Sequence, residues 1–332
     1  MNHLKTLTVN VIKSGPLMLF QDLGRPQVQN LGFASCGAAD EYAYMWANKL
    51  VANPVGTPTL EVTFGQAQLQ FSDACTIAMT GANCNARIVE SASSAVASTH
   101  SQYVAIGKSI KVNKGQILQL QAPKTGLRTY IAIAGRWQVP TCHHSAATNI
   151  NEPDISRQPL GLHDGSKFSV SQCDVLQGKK SQQMPLLYQV DYSQELLLRF
   201  NASLLWQQQA AQTRKVLSGA SYQIDSASNR MGYRLNGKAI ELSNTPSISR
   251  PTCFGAIQIA SNGQPMVLLK DRQTIGGYPV IGSVLHKDAC RLSQLRPGQR
   301  VRFMDVSQQL ASEEMTNYYQ FFFAPDECLD ND

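Results

Sequence analysis

Short alternations of apolar and polar residues recur along most of the chain, and turn residues separate them. Residues 60–64, 76–80 and 129–133 have the length and β-branched content of strands, and a glycine closely follows each. Convincing crossover helices are missing between such segments, which favours barrels or sandwiches over a doubly wound sheet. The pattern therefore predicts a mainly β protein.

Three segments have helical periodicity instead. Residues 39–51 combine strong helix formers with early acids and place Ala43, Ala47 and Leu50 on one face, and Asn53-Pro54 ends the segment. Weaker helical patterns cover residues 202–214, which are rich in glutamine, and 307–319. We expect only these few helices.

Two stretches share a Gly-Gln turn that enters an alternating strand, at residues 113–120 and 296–303. The similarity indicates two related β units, with a boundary between 172 and 196, where residues 177–183 have linker composition. We expect an N-terminal β domain at 1–180, a C-terminal β-barrel at 190–305 and a tail at 306–332.

Composition excludes several classes of protein. Hydrophobic residues make up 43% of the 332 and charged residues 16%, which excludes disorder, collagen and coiled coil as descriptions of the whole chain. The net charge is +6, from 29 Lys and Arg against 23 Asp and Glu, but the basic residues are scattered. Because phosphate-backbone binding needs a clustered basic stripe, we expect no nucleic-acid partner.

The longest apolar runs fall far short of the roughly 18 to 20 residues that cross a bilayer, and the first twelve residues alternate like a strand. We therefore expect a cytoplasmic protein without a membrane partner. The eight cysteines include no C-x-x-C pair, so reduced thiols are expected, and no metal site.

Three polar clusters combine glycine, arginine and an acid in a short span. The first covers residues 20–26 with 37–40 shortly after, and the second covers 228–235. The third covers 269–279, and a Gly-Ala-Ile-Gln segment that ends at Gln258 precedes it.

Taken together, these clusters resemble the biotin-dependent carboxyltransferase-like family, also called allophanate hydrolase subunit 2-like. The matching motifs are Asp-Leu-Gly-Arg-Pro from Asp22, Arg-Met-Gly-Tyr-Arg-Leu from Arg230 and Asp-Arg-Gln-Thr-Ile-Gly-Gly-Tyr-Pro from Asp271. The family includes the C-type component of bacterial 5-oxoprolinase, the closest resemblance, and the carboxyltransferase part of urea carboxylase. The resemblance covers roughly residues 8 to 305.

The resemblance implies two cyclophilin-like β-barrel units with a few short helices, and a subunit-B-like partner. The implied activity is ATP-dependent opening of 5-oxoproline to glutamate by a multi-subunit hydrolase, with ATP needed by the complex and not necessarily bound by this chain. One alternative is biotin-dependent carboxyl transfer as in urea carboxylase. Because the chain has no Met-Lys-Met acceptor segment, biotin would have to arrive on another protein. The other alternative is a non-catalytic regulator that antagonises a kinase inhibitor.

Both reactions act on an amide or ureido group of a small molecule, whose carbonyl oxygen gains negative charge when it is activated. Arginine and amide donors at that oxygen would stabilise it, and paired glycines would allow close backbone approach. We expect the catalytic residues to be Arg230, Asp271, Arg272 and Gln273. The expected substrate-binding residues are Asp22, Arg25, Asp40, Arg234, Gln258, Thr274, Gly276, Gly277 and Tyr278.

Some of these residues also have a structural interpretation. Asp22 and Arg25 could form a local ion pair that ties a turn, and Tyr278 could be a packing residue with a polar tip. Glu61 could be an exposed strand residue or a site acid. His143 and His144 are expected at the surface, because adjacent side chains of an extended chain point to opposite faces and cannot easily share a ligand.

The chain departs from the family pattern at four motif positions. Ala146 stands where members carry an arginine, and Val280 stands where a lysine follows Gly-Gly-Tyr-Pro. Arg250 replaces an acid before Gly-Ala-Ile-Gln, and Asn229 replaces an aspartate before Arg-Met-Gly-Tyr. These changes keep open a diverged paralogue with an altered substrate and a purely regulatory subunit.

Overall fold

The fold is built mainly from β-strands. The computed structural model describes residues 5–91, 101–152, 161–171, 181–243 and 248–323. Five short to medium α-helices lie in those ranges beside two open sheets and a closed barrel. The prediction of a mainly β protein with barrel architecture and few helices is confirmed.

Contacts divide the chain into two compact units. The first comprises Met1–Gln194 together with Ser293–Leu295, and the second comprises Glu195–Leu292 together with Arg296–Asp332. The three residues Ser293–Leu295 thus pack with the first unit although the chain around them belongs to the second.

The predicted domain limits, 1–180, 190–305 and 306–332, stay predictions, because compactness does not test whether a segment folds independently. Most of the predicted linker at 177–183 lies outside the described residues.

The first unit contains two antiparallel sheets. In chain order its strands are β1 (Thr6–Lys13), β2 (Leu17–Gln21), β3 (Thr59–Thr63), β4 (Gln68–Phe71), β5 (Cys75–Gly81), β6 (Arg87–Val89), β7 (Gln102–Tyr103), β8 (Lys108–Val112), β9 (Ile117–Gln119), β10 (Arg128–Ile133), β11 (Arg136–Gln138) and β12 (Lys167–Ser171). One sheet has the order β11-β12-β1-β4-β9-β6-β7, and the other has the order β2-β3-β10-β5-β8.

The apolar core of this unit draws on both sheets. In β1, Leu7, Val9 and Val11 are fully buried while the residues between them are partly exposed, as the period of two requires. The same cluster includes side chains from β2, β3, β4, β5 and β10, such as Met18, Leu60, Phe71, Ile77 and Ile131.

A single buried helix, α1 (Glu41–Leu50), covers part of the first unit. It begins where Oδ1 of Asp40 accepts a hydrogen bond from the backbone N–H of Ala43 at 3.1 Å, an N-cap that satisfies one of the free donors of the first turn. The helix predicted at 39–51 is confirmed. Two short 3₁₀ turns also occur, at Gln29–Leu31 and Leu186–Tyr188.

The second unit is a closed barrel with four helices. Its strands are β13 (Leu196–Ala202), β14 (Ser221–Ile224), β15 (Gly232–Asn236), β16 (Arg250–Pro251), β17 (Ala256–Ile259), β18 (Pro265–Leu268), β19 (Ile275–Gly276), β20 (Val280–Val284) and β21 (Arg300–Val306). The barrel follows the order β13-β20-β17-β18-β15-β14-β21, and β16 pairs separately with β19. The helices are α2 (Leu204–Gln207), α3 (Ala211–Gly219), α4 (His286–Leu292) and α5 (Gln308–Phe323).

The barrel closes through parallel pairing of β13 with β21, and aromatic side chains pack nearby. The ring of Phe303 meets those of Phe200 at 6.1 Å and Tyr222 at 5.7 Å, both nearly edge-on. The helix predicted at 307–319 is confirmed as α5. The segment predicted at 202–214 forms two separate helices, α2 and α3. In the described ranges, none of the helices is long and apolar enough to cross a membrane.

Candidate functional site

The centre of the candidate site in the second unit is a buried ion pair between Arg230 and Asp271. Nε and Nη2 of Arg230 donate to the two carboxylate oxygens of Asp271 at 2.8 and 2.9 Å. The backbone N–H of Asp271 donates to the carbonyl oxygen of Arg230 at 3.0 Å, so main chain and side chains fix the same pairing. This joins the second and third polar clusters of the sequence. Removing either partner would leave a charge in a buried position.

Arg272 lies directly beside this pair and is only 8% exposed. Its Nη1 is 3.3 Å from the carbonyl oxygen of Leu269, which is long for a hydrogen bond. The chain that follows is fastened to Thr252, whose hydroxyl donates to the carbonyl oxygen of Gln273 and whose backbone N–H donates to that of Thr274. The Asp-Arg-Gln-Thr motif is thus held by main-chain contacts, while the guanidinium of Arg272 stays next to an ion pair.

Gln258 lies under the Gly-Gly segment. It is fully buried, and a Cβ placed on Gly276 would lie 2.5 Å from its Nε2 atom. Its Oε1 atom has no hydrogen-bond partner among the described residues, which is unusual for a buried amide. Glycine at 276 is therefore required for the close approach of backbone to a polar side chain.

Gly276→Ala is expected to lower the free energy of unfolding by about 1–3 kcal/mol, because the added methyl group overlaps the buried amide of Gln258. Gly277→Ala is the matched control, since the nearest atom to its new Cβ would be 3.9 Å away. Urea unfolding of both variants measures the difference. Equal stability of the two variants would contradict the packing described for Gly276.

A cleft of about 740 Å³ borders the Gly-Gly segment on the surface of the second unit. Gly277 and Tyr278 form one edge, and the cleft has room for a small molecule. Tyr278 is 46% exposed, which leaves its ring accessible at that edge. The other walls consist of residues Ala239, Ile240, Glu241, Leu242, Ile259, Ala260, Ser261, Asn262, Gly263 and Pro279.

Arg234 is not brought to the ion pair by any described contact and lies on the exposed face of β15. Among the departures from the family pattern, Asn229 accepts a hydrogen bond from the backbone N–H of Met231 at 2.8 Å, as an aspartate could. Arg250 is exposed and pairs through its backbone with Gly276, and Val280 pairs with Gln258. Arg250 and Val280 thus lie next to the Gly-Gly segment.

In the first unit, Asp22 organises a buried loop. Its Oδ1 accepts from the hydroxyl of Ser145 at 2.6 Å and from the N–H of Gly24 at 2.8 Å, and its Oδ2 accepts from the N–H of Ala146 at 2.7 Å. Burial raises the pKa of Asp22, and these hydrogen bonds oppose the rise. Ala146 therefore contributes its backbone where the family pattern has an arginine.

Arg25 has partners of its own. Its Nη1 binds Oε2 of Glu152 at 3.0 Å, and its Nη2 donates to the carbonyl oxygen of Ala147 at 3.0 Å. Glu152 also accepts from the backbone N–H of Ala34 at 2.8 Å. Asp22 and Arg25 thus fasten the same pair of loops through different atoms, and their substrate-binding role stays a prediction.

His143 and His144 are exposed, as predicted, but the reason given for their separation is wrong. Both have positive φ values, 48° and 62°, and lie between Cys142 and Ser145, which exchange backbone hydrogen bonds. This is a two-residue turn of the kind that joins hairpin strands, and it is not extended chain. Asparagine or glycine is usual at such positions, so nothing in the sequence indicated this turn.

Asp40 belongs to a second buried cluster of the first unit. Its Oδ2 accepts from Nε2 of Gln294 at 2.8 Å and from the hydroxyl of Tyr192 at 3.0 Å. Its backbone N–H donates to the hydroxyl of Tyr130, which in turn donates to Oε2 of Glu61 at 2.7 Å. Asp40 and Glu61 are both fully buried, so each has a place in the packing of the unit.

Burial raises the pKa of Asp40 above its usual value of 3.8, and hydrogen bonds from Gln294 and Ala43 oppose the rise. Since the folded state then binds the proton more tightly than the unfolded state, the free energy of unfolding should fall as pH rises above 3.8. Asp40→Asn should remove this contribution, so urea unfolding between about pH 4 and pH 7 should show a smaller decrease.

Asp73 is the control with the opposite sign, because the Lys5 ammonium lowers the pKa of this exposed carboxyl. Asp73→Asn should remove a small contribution that is lost as pH falls below 3.8. An unchanged pH dependence in Asp40→Asn would show that the carboxyl is not destabilised by burial.

Several residues of these clusters were not anticipated from the sequence. Ser145, Glu152 and Gln294 carry no motif, and their partners lie far away along the chain. Lys270 was passed over although it adjoins Asp271. In the described part of the chain, no group of three or more His, Cys, Asp or Glu side chains is arranged to hold a metal ion.

The family of the chain follows from comparison with known domains. The model of the carboxyltransferase domain, subdomains A and B, matches residues 31–305, so the chain belongs to this family. The match includes both motifs that build the Arg230–Asp271 pair.

Individual relatives narrow the resemblance. The C-type component of 5-oxoprolinase from Escherichia coli (strain K12) is 29% identical over 328 residues, which cover 95% of this chain and 96% of that protein. Its namesake from Haemophilus influenzae is 28% identical, over 88% of this chain and 89% of that protein. The crystal structure of the K. lactis urea amidolyase superposes with a TM-score of 0.82 at 20% identity, over 95% of this chain but 20% of that one. This last likeness is one of fold.

Proposed function

We propose that the chain is the C-type component of an ATP-dependent 5-oxoprolinase, which works in the cytoplasm with a subunit-B-like protein and opens 5-oxoproline to glutamate. The observation that carries the proposal is the near end-to-end match with two proteins named as C-type components of 5-oxoprolinase. A partial match to one domain of a larger enzyme would not distinguish this activity from others in the family.

The geometry of the second unit supports chemistry at an amide. Asp271 holds Arg230, and the neighbouring Arg272 offers a planar guanidinium near the Gly-Gly segment. Such a donor stabilises the negative charge that develops on a carbonyl oxygen when a lactam is activated and attacked. The side chains of this cluster bind and polarise, so ATP-dependent activation is assigned to the assembled complex.

The partnership has a direct test. The chain should co-elute with the co-expressed subunit-B-like protein in size-exclusion chromatography at micromolar concentration. The assembled complex, and neither protein alone, should then release glutamate from 5-oxoproline in the presence of ATP. Two independent peaks would contradict the proposed assembly.

The two alternatives give different results in the same assay. Biotin-dependent carboxyl transfer predicts that avidin abolishes activity, and that turnover requires a biotinylated protein. A non-catalytic regulator predicts stable assembly without any turnover of 5-oxoproline. The proposed function requires turnover that avidin does not affect.

A further inference from the structure

Lys270 is a buried cation whose position the motifs do not explain. It lies two residues after the end of β18, precedes Asp271 and is only 7% exposed, although lysine is among the residues least often buried. Its ammonium group lies 4.8 Å from the centre of the Phe254 ring, within the range of a cation–π contact.

The ring that faces Lys270 is itself held in place. Phe254 packs against the ring of His286 at 5.2 Å, and His286 packs against Tyr318 of α5 at 5.1 Å. An aromatic face fixed in this way limits the positions that the ammonium group can take. The arrangement therefore places a compact positive charge next to the Asp271–Arg272 segment.

The charges of the four ionisable side chains in this segment do not sum to zero. Arg230, Lys270 and Arg272 contribute three positive charges, Asp271 contributes one negative charge, and the balance is 3 − 1 = +2. Both oxygens of Asp271 accept from Arg230. A small oxyanion is the ligand whose binding would reduce this excess.

We propose that Lys270 is a specificity-determining residue that binds the carboxylate of a small acidic lactam, while Arg272 faces the ring carbonyl. An ammonium group suits a carboxylate as a point charge, whereas the planar guanidinium suits an oxygen on which charge develops. This inference rests on the proposed function and names the feature that the site recognises, which is an anionic group on the substrate.

The test compares an acidic and a neutral lactam in the assembled complex. Lys270→Gln should raise the KM for 5-oxoproline by about 10- to 100-fold with kcat changed by less than about threefold, since a charge-assisted hydrogen bond is lost. Inhibition by pyrrolidin-2-one, which has the same ring without the carboxylate, should be unchanged. Lys270→Arg should recover part of the loss.

Lys215→Gln, at an exposed position of α3, is the matched control and should leave all of these constants unchanged. A merely structural role for Lys270 predicts that the KM for the acid and the inhibition constant for the neutral lactam change together. That result would overturn the proposal, as would an unchanged KM.

Failure of the proposed function would look different, because the wild-type complex would then not turn over 5-oxoproline. Calorimetric binding of 5-oxoproline and pyrrolidin-2-one to the full chain decides the role of Lys270 in that case. Weaker binding of the acid alone in Lys270→Gln would support the role. Equal binding by wild type and variant, or no binding by wild type, would overturn it.

Discussion

Arg272→Ala is expected to lower the turnover of 5-oxoproline by the assembled complex by about 10²- to 10³-fold. The guanidinium is buried beside the Arg230–Asp271 pair, where a donor aimed at a developing negative charge acts in a low dielectric. Arg272→Lys should recover only part of the activity, because an ammonium group cannot reproduce the planar fork. Steady-state kinetics of the three complexes measures both effects.

The control for this prediction is Arg214→Ala, which removes an exposed arginine of α3 in the same unit. Its turnover should equal that of wild type. Because Arg272 is buried, the thermal midpoint of each variant is measured as well, and the assays are run well below it. If Arg272→Ala matches wild type within twofold, the residue belongs to a structural turn and the site assignment is wrong.

Gln294→Leu is expected to destabilise the first unit by about 3 kcal/mol or more. Oε1 of Gln294 accepts from the backbone N–H groups of Leu127 and Arg128 at 3.0 and 2.8 Å, and its Nε2 donates to Asp40 and to the carbonyl oxygen of Arg128. Leucine would leave these groups buried without that partner, and each such loss costs about 1–3 kcal/mol.

Gln102→Leu, at an exposed position of β7, is the matched control and should change stability by less than about 0.5 kcal/mol. Urea unfolding gives the free energies, and hydrogen exchange at the amides of Leu127 and Arg128 localises the effect. Unchanged protection of these two amides in Gln294→Leu would contradict the role assigned to Gln294.

Local pattern was sufficient to predict most of the regular structure. Strands such as β1 and β10 are recognisable because they pack on a core with a period of two or are buried throughout, and α1 because an acid caps an apolar helical face. The Gln-rich segment at 202–214 was predicted less well. Ser203 caps α2, but the chain leaves the helical conformation before α3 begins at Ala211.

The composition of the candidate site was also visible in the sequence, whereas its pairings were not. The motifs named Arg230 and Asp271 as polar residues of interest, but 41 residues separate them and only the fold joins them. Gln294 and Asp40 are 254 residues apart, and a lone glutamine in a Ser-Gln-Leu segment carries no signal of a buried network. Long-range hydrogen bonds of this kind depend on topology, which local pattern does not specify.

The most direct test of the proposed function is ATP-dependent release of glutamate from 5-oxoproline by the complex of this chain with its subunit-B-like partner. The proposal predicts steady turnover that requires both proteins and ATP, is unaffected by avidin, and falls about 10²- to 10³-fold in Arg272→Ala. A stably assembled complex that releases no glutamate above the rate of the partner alone would contradict it.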